Sequence, residues 1–217
     1  MADITLYLGN KNYSSWSLRA WLVLKRTGAA FDETVIPLRQ ADTREQILRH
    51  SPSGKVPVLD FKGTAVWDSL AIAEFLAEAY PKANLWPKDR EARARARAVS
   101  AEMHSGFPDL RRSMPMNMRS SFPGREITPE TQADINRITA IWRDCRSKAG
   151  QSGDFLFGEF TIADAMFAPV ASRFKTYGIA LEKTPGAYAE TLLNLPDMKE
   201  WSEAAHQEPW VIPDFEF

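Results

Sequence analysis

The first eighty residues alternate strand-like and helix-like runs, and after them the strand signal stops. Ile4-Thr5-Leu6-Tyr7-Leu8 is rich in the β-branched and aromatic types that suit a pleated, half-buried surface. A polar stretch, GNKNYSS, leads into Leu18, Trp21, Leu22 and Leu24, apolar at helical spacing. A second strand is expected at Glu33–Ile36, a short helix at Thr43–His50 and a third strand at Val56–Phe61. Lys62-Gly63 marks a tight turn into a fourth strand, Thr64–Trp67. Ser69–Ala79 is apolar over a wide helical face, so the order is βαβαββα. Beyond a linker at 81–88, which carries Pro81 and Pro87, helical patterns run near 89–112, 129–149, 161–177 and 196–207. An α/β half of about eighty residues (1–80) followed by an all-helical half (89–217) is an uncommon pairing.

Composition removes several function classes. The 217 residues are 44% hydrophobic and 25% charged, ordinary for a globular chain. The formal charge of −1 supplies no general attraction for nucleic acid or anionic lipid, and no run approaches a membrane span. The single Cys145 allows no internal disulfide, CxxC pair or thiolate zinc cage. His50, His104 and His206 form no short-spaced ligand pair, so no metal is expected. With no leader-like start, the expected compartment is the cytoplasm. In ARARARA (92–98), Arg93 and Arg97 share a helical face with Arg95 nearly opposite, and Glu91 can pair with Arg95 four residues on. That pattern suits a solvated helix or a subunit contact better than a nucleic-acid patch.

Two local features point to a peptide-like anion. In GKVPVLDF, Pro57 stands where a strand should begin, and proline cannot donate to a ladder. A turn at Val56-Pro57 leaves the Val56 backbone able to pair with an extended ligand. Asp68-Ser69 stands directly before a helix, where either residue can cap and free N–H groups favour a carboxylate. A plain edge strand and a plain cap are the simpler readings of each feature alone.

Taken together, the βαβαββα half, Val56-Pro57, Asp68-Ser69 and the helical remainder resemble the glutathione transferase superfamily over essentially the whole chain. Phe157-Gly158-Glu159-Phe160-Thr161-Ile162-Ala163-Asp164 matches a further hallmark of that family, with Thr161 and Asp164 spaced as a capping box. The resemblance implies a thioredoxin-like first domain with cis Pro57, a helical second domain, glutathione as co-substrate and a homodimer. It implies that the cysteinyl backbone of glutathione pairs with Val56, that Ser69 and Asp68 hold the γ-glutamyl end, and that Lys55 reaches the glycyl carboxylate.

The superfamily divides by the group that holds the sulfur, and the first half of this chain has no cysteine. The hydroxyls of Tyr13, Ser14 and Ser15 remain, at the turn into the first helix, where the helix terminus adds partial positive charge. Bringing a thiol from a pKa of about 8.5 down to about 6.5 takes about 2.7 kcal/mol of preference for the anion. One charge-assisted hydrogen bond plus a helix terminus supplies that. Ser14 is the expected donor, as in serine-type classes that include the zeta-like group, with Ser15 as helix cap or alternative and Tyr13 as rival. The zeta pattern has Ser-Ser-Cys where this chain has Ser14-Ser15-Trp16. The family places the electrophile against the first helices of the second half, here His104, Phe107, Arg111 and Met114. Four of the seven methionines fall within 102–118, and thioethers adapt to irregular apolar shapes. The expected activity is conjugation of the glutathione thiolate to a small hydrophobic electrophile, in a detoxifying role. A glutathione-dependent isomerase or peroxidase, or a non-enzymatic carrier of the same fold, is the alternative.

Overall fold

The structure, a computed structural model, describes residues 3–148 and 153–217. The strands are β1 (Ile4–Leu8), β2 (Asp32–Val35), β3 (Val58–Phe61) and β4 (Thr64–Val66). They form one sheet in the order β2-β1-β3-β4, with β2 parallel to β1 and the other pairings antiparallel. Interleaved with them are α1 (Ser15–Thr27), α2 (Thr43–Leu48) and α3 (Ser69–Ala79), giving the expected βαβαββα order. The β3–β4 hairpin closes on Lys62 (φ 53°) and Gly63 (φ 86°), the doubly left-handed pair that a two-residue turn demands. Gly63 donates to Asp60 Oδ1 at 2.8 Å.

Pro57 shortens the third strand. The Val56–Pro57 bond is cis and the ladder starts only at Val58, which pairs with Tyr7. Val56 thus lies outside β3, next to its first rung.

The helical part consists of α4 (Arg90–Ser105), α5 (Pro108–Ser113), α6 (Pro129–Lys148), α7 (Ile162–Thr176), α8 (Lys183–Leu193) and α9 (Pro196–Gln207). Three details depart from the sequence pattern. The run near 89–112 is two helices, because Gly106 ends α4, Phe107 turns left-handed (φ 60°) and Pro108 opens α5. Helix α8 has no counterpart among the expected elements: Pro185 and Gly186 read as a loop, yet Pro185 sits in the first turn, where its missing N–H has no helical partner to lose. Residue 149, expected to end the sixth helix, lies outside the described residues.

Helix α7 is buried almost along its whole length and packs against α1, α4 and α8. Its start is fixed by Thr161-Asp164. Asp164 Oδ2 accepts the Thr161 N–H at 2.8 Å and the Thr161 hydroxyl at 3.0 Å; Oδ1 accepts the Leu156 N–H at 3.1 Å and the Tyr188 hydroxyl at 2.9 Å. The ARARARA arginines serve the chain's own packing. Arg95 pairs with Asp144 on α6, not with Glu91, and Arg97 forks onto Glu74 of α3 at 3.0 and 3.2 Å. Trp86 Nε1 of the linker donates to the same Glu74 carboxylate at 2.9 Å, so that linker and α4 are both tied to the first half.

Asp164→Ala strands three buried donors besides the Thr161 hydroxyl, each costing roughly 1–3 kcal/mol when left unpaired. The expected loss is about 3 kcal/mol or more, read in a thermal melt as a fall of about 10 °C for a chain of this size.

Candidate functional site

Two cavities flank Trp16, the second residue of α1. The larger, about 490 Å³, is lined by Trp16, Ser53, Lys55, Val56, Pro57, Trp67, Asp68, Ser69 and His104. Every residue expected to hold glutathione is therefore on one wall system. Asp68 is the cap of α3: its Oδ1 accepts from Leu70 at 2.8 Å and Ala71 at 3.4 Å. Its Oδ2 lies 2.9 Å from His104 Nε2. Ser69 is 2% exposed, and its hydroxyl has no partner among the described residues. A buried, unused hydroxyl at the N-terminus of an eleven-residue helix favours an incoming carboxylate.

His104 is expected beside the electrophile; in the structure it lines the larger cavity, together with the residues expected to hold glutathione. It reaches across from α4, and Asp68 fixes its ring. Burial pushes its titration below the ordinary histidine range; Asp68 opposes that shift, while Arg19 and Arg111 add to it. Nε2 faces Asp68, and the buried Nδ1 has no partner among the described residues.

The second cavity, about 290 Å³, is lined by Tyr13, Ser14, Ser15, Trp16, Arg111 and Arg173, and by Leu38, Arg39, Pro115, Met116, Ile212 and Phe215. All three candidate hydroxyls face it, but their hydrogen bonds separate them. Tyr13 Oη donates to Glu216 Oε1 at 2.5 Å and accepts from Arg119 at 3.0 Å and from the Ile212 N–H at 3.2 Å. It is saturated. Ser14 caps α1: its Oγ accepts the Ser17 N–H at 3.3 Å and donates to Ser17 Oγ at 2.8 Å. Ser14 thus takes the capping role open to Ser15 in the sequence. Ser15 Oγ accepts from Arg173 at 3.3 Å, and its own proton has no acceptor among the described residues.

Phe107 and Met114 line neither cavity. Phe107 turns inward as the left-handed residue before Pro108, and Met114 is wholly buried, serving through its carbonyl, which accepts Arg173 Nε at 2.7 Å.

Sequence reasoning named Arg111 but missed that this half-buried residue stands with two buried arginines, Arg19 and Arg173. Arg19 is 1% exposed; its Nε donates to the Met166 carbonyl of α7 at 3.1 Å, while both terminal nitrogens lack partners among the described residues. Arg111 donates to the Gly106 carbonyl at 3.0 Å and to the Met103 carbonyl, and its other terminal nitrogen is unpartnered among those residues. The Arg19 and Arg111 guanidiniums stack on Trp16, 4.7 and 4.8 Å from its ring centroid. Arg173 is 4% exposed. Burial first, and then Arg111, draws its titration down to about 9, which still leaves it charged at neutral pH. Burial is also the leading cause that lowers Arg19 and Arg111. Their hydrogen bonds go to carbonyls and a serine, not to carboxylates. A buried ion with no carboxylate in hydrogen-bond contact costs several kcal/mol, which Asp68 near Arg19 and Asp134 near Arg111 offset in part. The signal in the sequence is faint: an arginine on an apolar helix face, three times, on three different helices.

The chain is similar to known proteins in sequence and fold. Residues 13–79 match the family described as the glutathione S-transferase N-terminal domain. The maleylacetoacetate isomerase of Mus musculus is 31% identical over 189 residues, spanning 83% of this chain and 82% of that protein. The probable maleylacetoacetate isomerase of Caenorhabditis elegans is 26% identical over 198 residues, 88% of this chain and 89% of its own. Among solved structures, a glutathione transferase homolog from Burkholderia strain BGR1, with bound glutathione, superposes with a TM-score of 0.70 at 25% identity, covering 94% of this chain and 97% of that one. In sequence and fold, the chain belongs to the glutathione transferase superfamily.

Proposed function

We propose that this chain binds glutathione in the larger cavity, ionises its thiol at the N-terminus of α1, and adds the thiolate to a small electrophile that carries an anionic group. The observation that carries the reading is that two chemically different cavities share Trp16 as a wall. One offers the Val56 edge, the spare Ser69 hydroxyl and the α3 terminus; the other offers serine hydroxyls and the guanidiniums of Arg111 and Arg173, which hold no carboxylate. The Burkholderia homolog with bound glutathione supports the first assignment.

In this reading the γ-glutamyl carboxylate sits on the Ser69 hydroxyl and N–H, the cysteinyl backbone pairs at Val56, and Lys55 meets the glycyl carboxylate. The thiol proton leaves to solvent, and the anion is held by a serine hydroxyl and the α1 terminus. Ser15 is the better donor of the two, because the Ser14 proton is engaged by Ser17 while Arg173 polarises Ser15. Arg111 and Arg173 orient the acceptor by its anion, so that proximity and ionisation supply most of the rate. The acceptor is thus polar at one end, a change from the purely apolar electrophile that the methionines suggest.

Isomerisation is the second reading. The thiolate adds to an activated double bond, the new single bond rotates, and the thiolate is expelled, so no glutathione is consumed. The isomerase names of the mouse and worm relatives favour it. A detoxifying role, a cytoplasmic location and a homodimer are carried over from the superfamily as proposals; light scattering at twice the monomer mass tests the last.

Calorimetry with glutathione tests the first chamber, and absence of heat at millimolar concentration overturns the whole reading. A cis-aroylacrylate, which joins an activated double bond to a carboxylate, tests the second: conversion to the trans isomer at constant glutathione identifies isomerisation, and loss of glutathione identifies addition. Turnover of a neutral aryl halide alone, with no preference for the acid, removes the anion requirement.

Ser15→Ala is expected to lower kcat/KM about fifteen-fold at pH 6.5, as the bound thiol loses about 2 kcal/mol of hydrogen-bond stabilisation and keeps that of the helix terminus. Ser14→Ala is expected to cost about 1 kcal/mol of stability through the lost cap, with a smaller loss of rate. The reverse ranking, in a titration of thiolate absorbance, assigns the sulfur to Ser14. Arg173→Met is expected to raise KM for the carboxylate acceptor at least about tenfold, the scale of one lost charge-assisted pair. It should leave thermal stability without ligand equal or higher, because a buried unpaired cation is gone.

A further inference from the structure

The stretch beyond α9 folds back over the mouth of the second cavity, and its bonds go to the same loop that presents the serines. Glu208 accepts the Lys11 N–H at 2.7 Å and the Asn12 N–H at 3.1 Å, and Trp201 Nε1 donates to the Lys11 carbonyl at 2.8 Å. Arg119 donates to the carbonyls of Glu208 at 2.7 Å and Trp210 at 2.8 Å. The chain then passes Tyr13, and Glu216 turns back into a nest of donors: Tyr13 Oη at 2.5 Å, Asn117 Nδ2 at 3.0 Å and the Ser120 hydroxyl at 2.9 Å. Between these anchors Ile212 and Phe215 face the cavity opposite Leu38 and Arg39. The Phe215 and Tyr13 rings lie 5.9 Å apart. One exposed ion pair, Arg39 with Asp214 at 3.8 Å, crosses the mouth, and such a pair contributes little holding force.

We propose that Ile212–Glu216 is the size-limiting wall of the acceptor cavity. Phe215 sets the largest acceptor that enters, and Glu216, latched on Tyr13, is the positioning residue that holds Phe215 in place. The saturated phenol of Tyr13 thereby links the wall to the residue next to Ser14, so the wall keeps a fixed distance from the reacting hydroxyls. The proposal rests on the reading of the second cavity as the acceptor site. The physical reason is the small volume, about 290 Å³, of which Phe215 and Ile212 close one side. Truncating a side chain at such a place gives the volume to the ligand, since the latch anchors the backbone on either side of it.

Calorimetric titration of a graded series of aryl carboxylates (benzoate, 2-naphthoate, 4-biphenylcarboxylate) against the glutathione-loaded protein tests it. In Phe215→Ala the affinity for biphenylcarboxylate relative to benzoate is expected to rise at least about tenfold, the scale of one newly buried ring face. Phe215→Trp should shift the ratio the other way, and keeps the test decisive should the smaller residue unfold the segment. Glu216→Gln should move the ratio in the direction of Phe215→Ala, which a merely stabilising contact would not do. An unchanged ratio in all three variants overturns the proposal, as does failure of every acid to bind any of the proteins. Glutathione heats, measured separately, report on the first cavity, so failure of the wall and failure of the functional reading are distinguishable.

Discussion

Everything at the site depends on how α1 is held between α3 and α7. Its apolar residues Leu18, Trp21, Leu22 and Leu24 are wholly or almost wholly buried, and Arg19 reaches across to a carbonyl of α7. A helix fixed on both sides has no freedom to slide, so its first turn becomes a rigid point in the molecule. Ser14, Ser15 and Trp16 stand at that point. The partial positive charge of the helix end, two hydroxyls and the ring that divides the two cavities thereby share one reference frame.

The second constraint is electrostatic. Folding places three guanidiniums, Arg19, Arg111 and Arg173, in a region of low exposure with carbonyl oxygens rather than carboxylates as partners. Stability alone would favour apolar residues there. Two of the three lie over the faces of Trp16, which spreads part of the charge onto a polarisable ring but does not cancel it. In the proposed function an anionic ligand completes that charge, and the cavity beside Ser15, lined by Arg111 and Arg173, is where it has room. The wall from Ile212 to Glu216 then decides how much room.

The elements of the first half were legible because their signals are local. Alternation in β1, the Lys62-Gly63 turn and the wide apolar face of α3 each act within a few residues. The capping box at Thr161-Asp164 was equally readable, since both members lie in one turn. Helix α8 was not, because Pro185 and Gly186 carry the punctuation of a loop and only packing of Tyr188 and Leu192 against α7 overrides it. The roles of the three hydroxyls were beyond reach for a different reason. Tyr13, Ser14 and Ser15 are neighbours with similar chemistry, and what separates them is Glu216, Ser17 and Arg173, two of which are more than 150 residues away in the chain.

By itself the sequence determined the order of elements, the place of the interrupted strand at Val56-Pro57, the helix start at Asp68-Ser69 and hence the superfamily. These follow from propensity, periodicity and capping, which act over short spans. Only the tertiary structure decided that His104 turns to Asp68, that Met114 and Phe107 are interior, and that arginines from α1 and α5 converge on one ring. Convergence of that kind depends on the angles at which helices cross, and crossing angles are set by the packing of whole faces rather than by any residue's own preference.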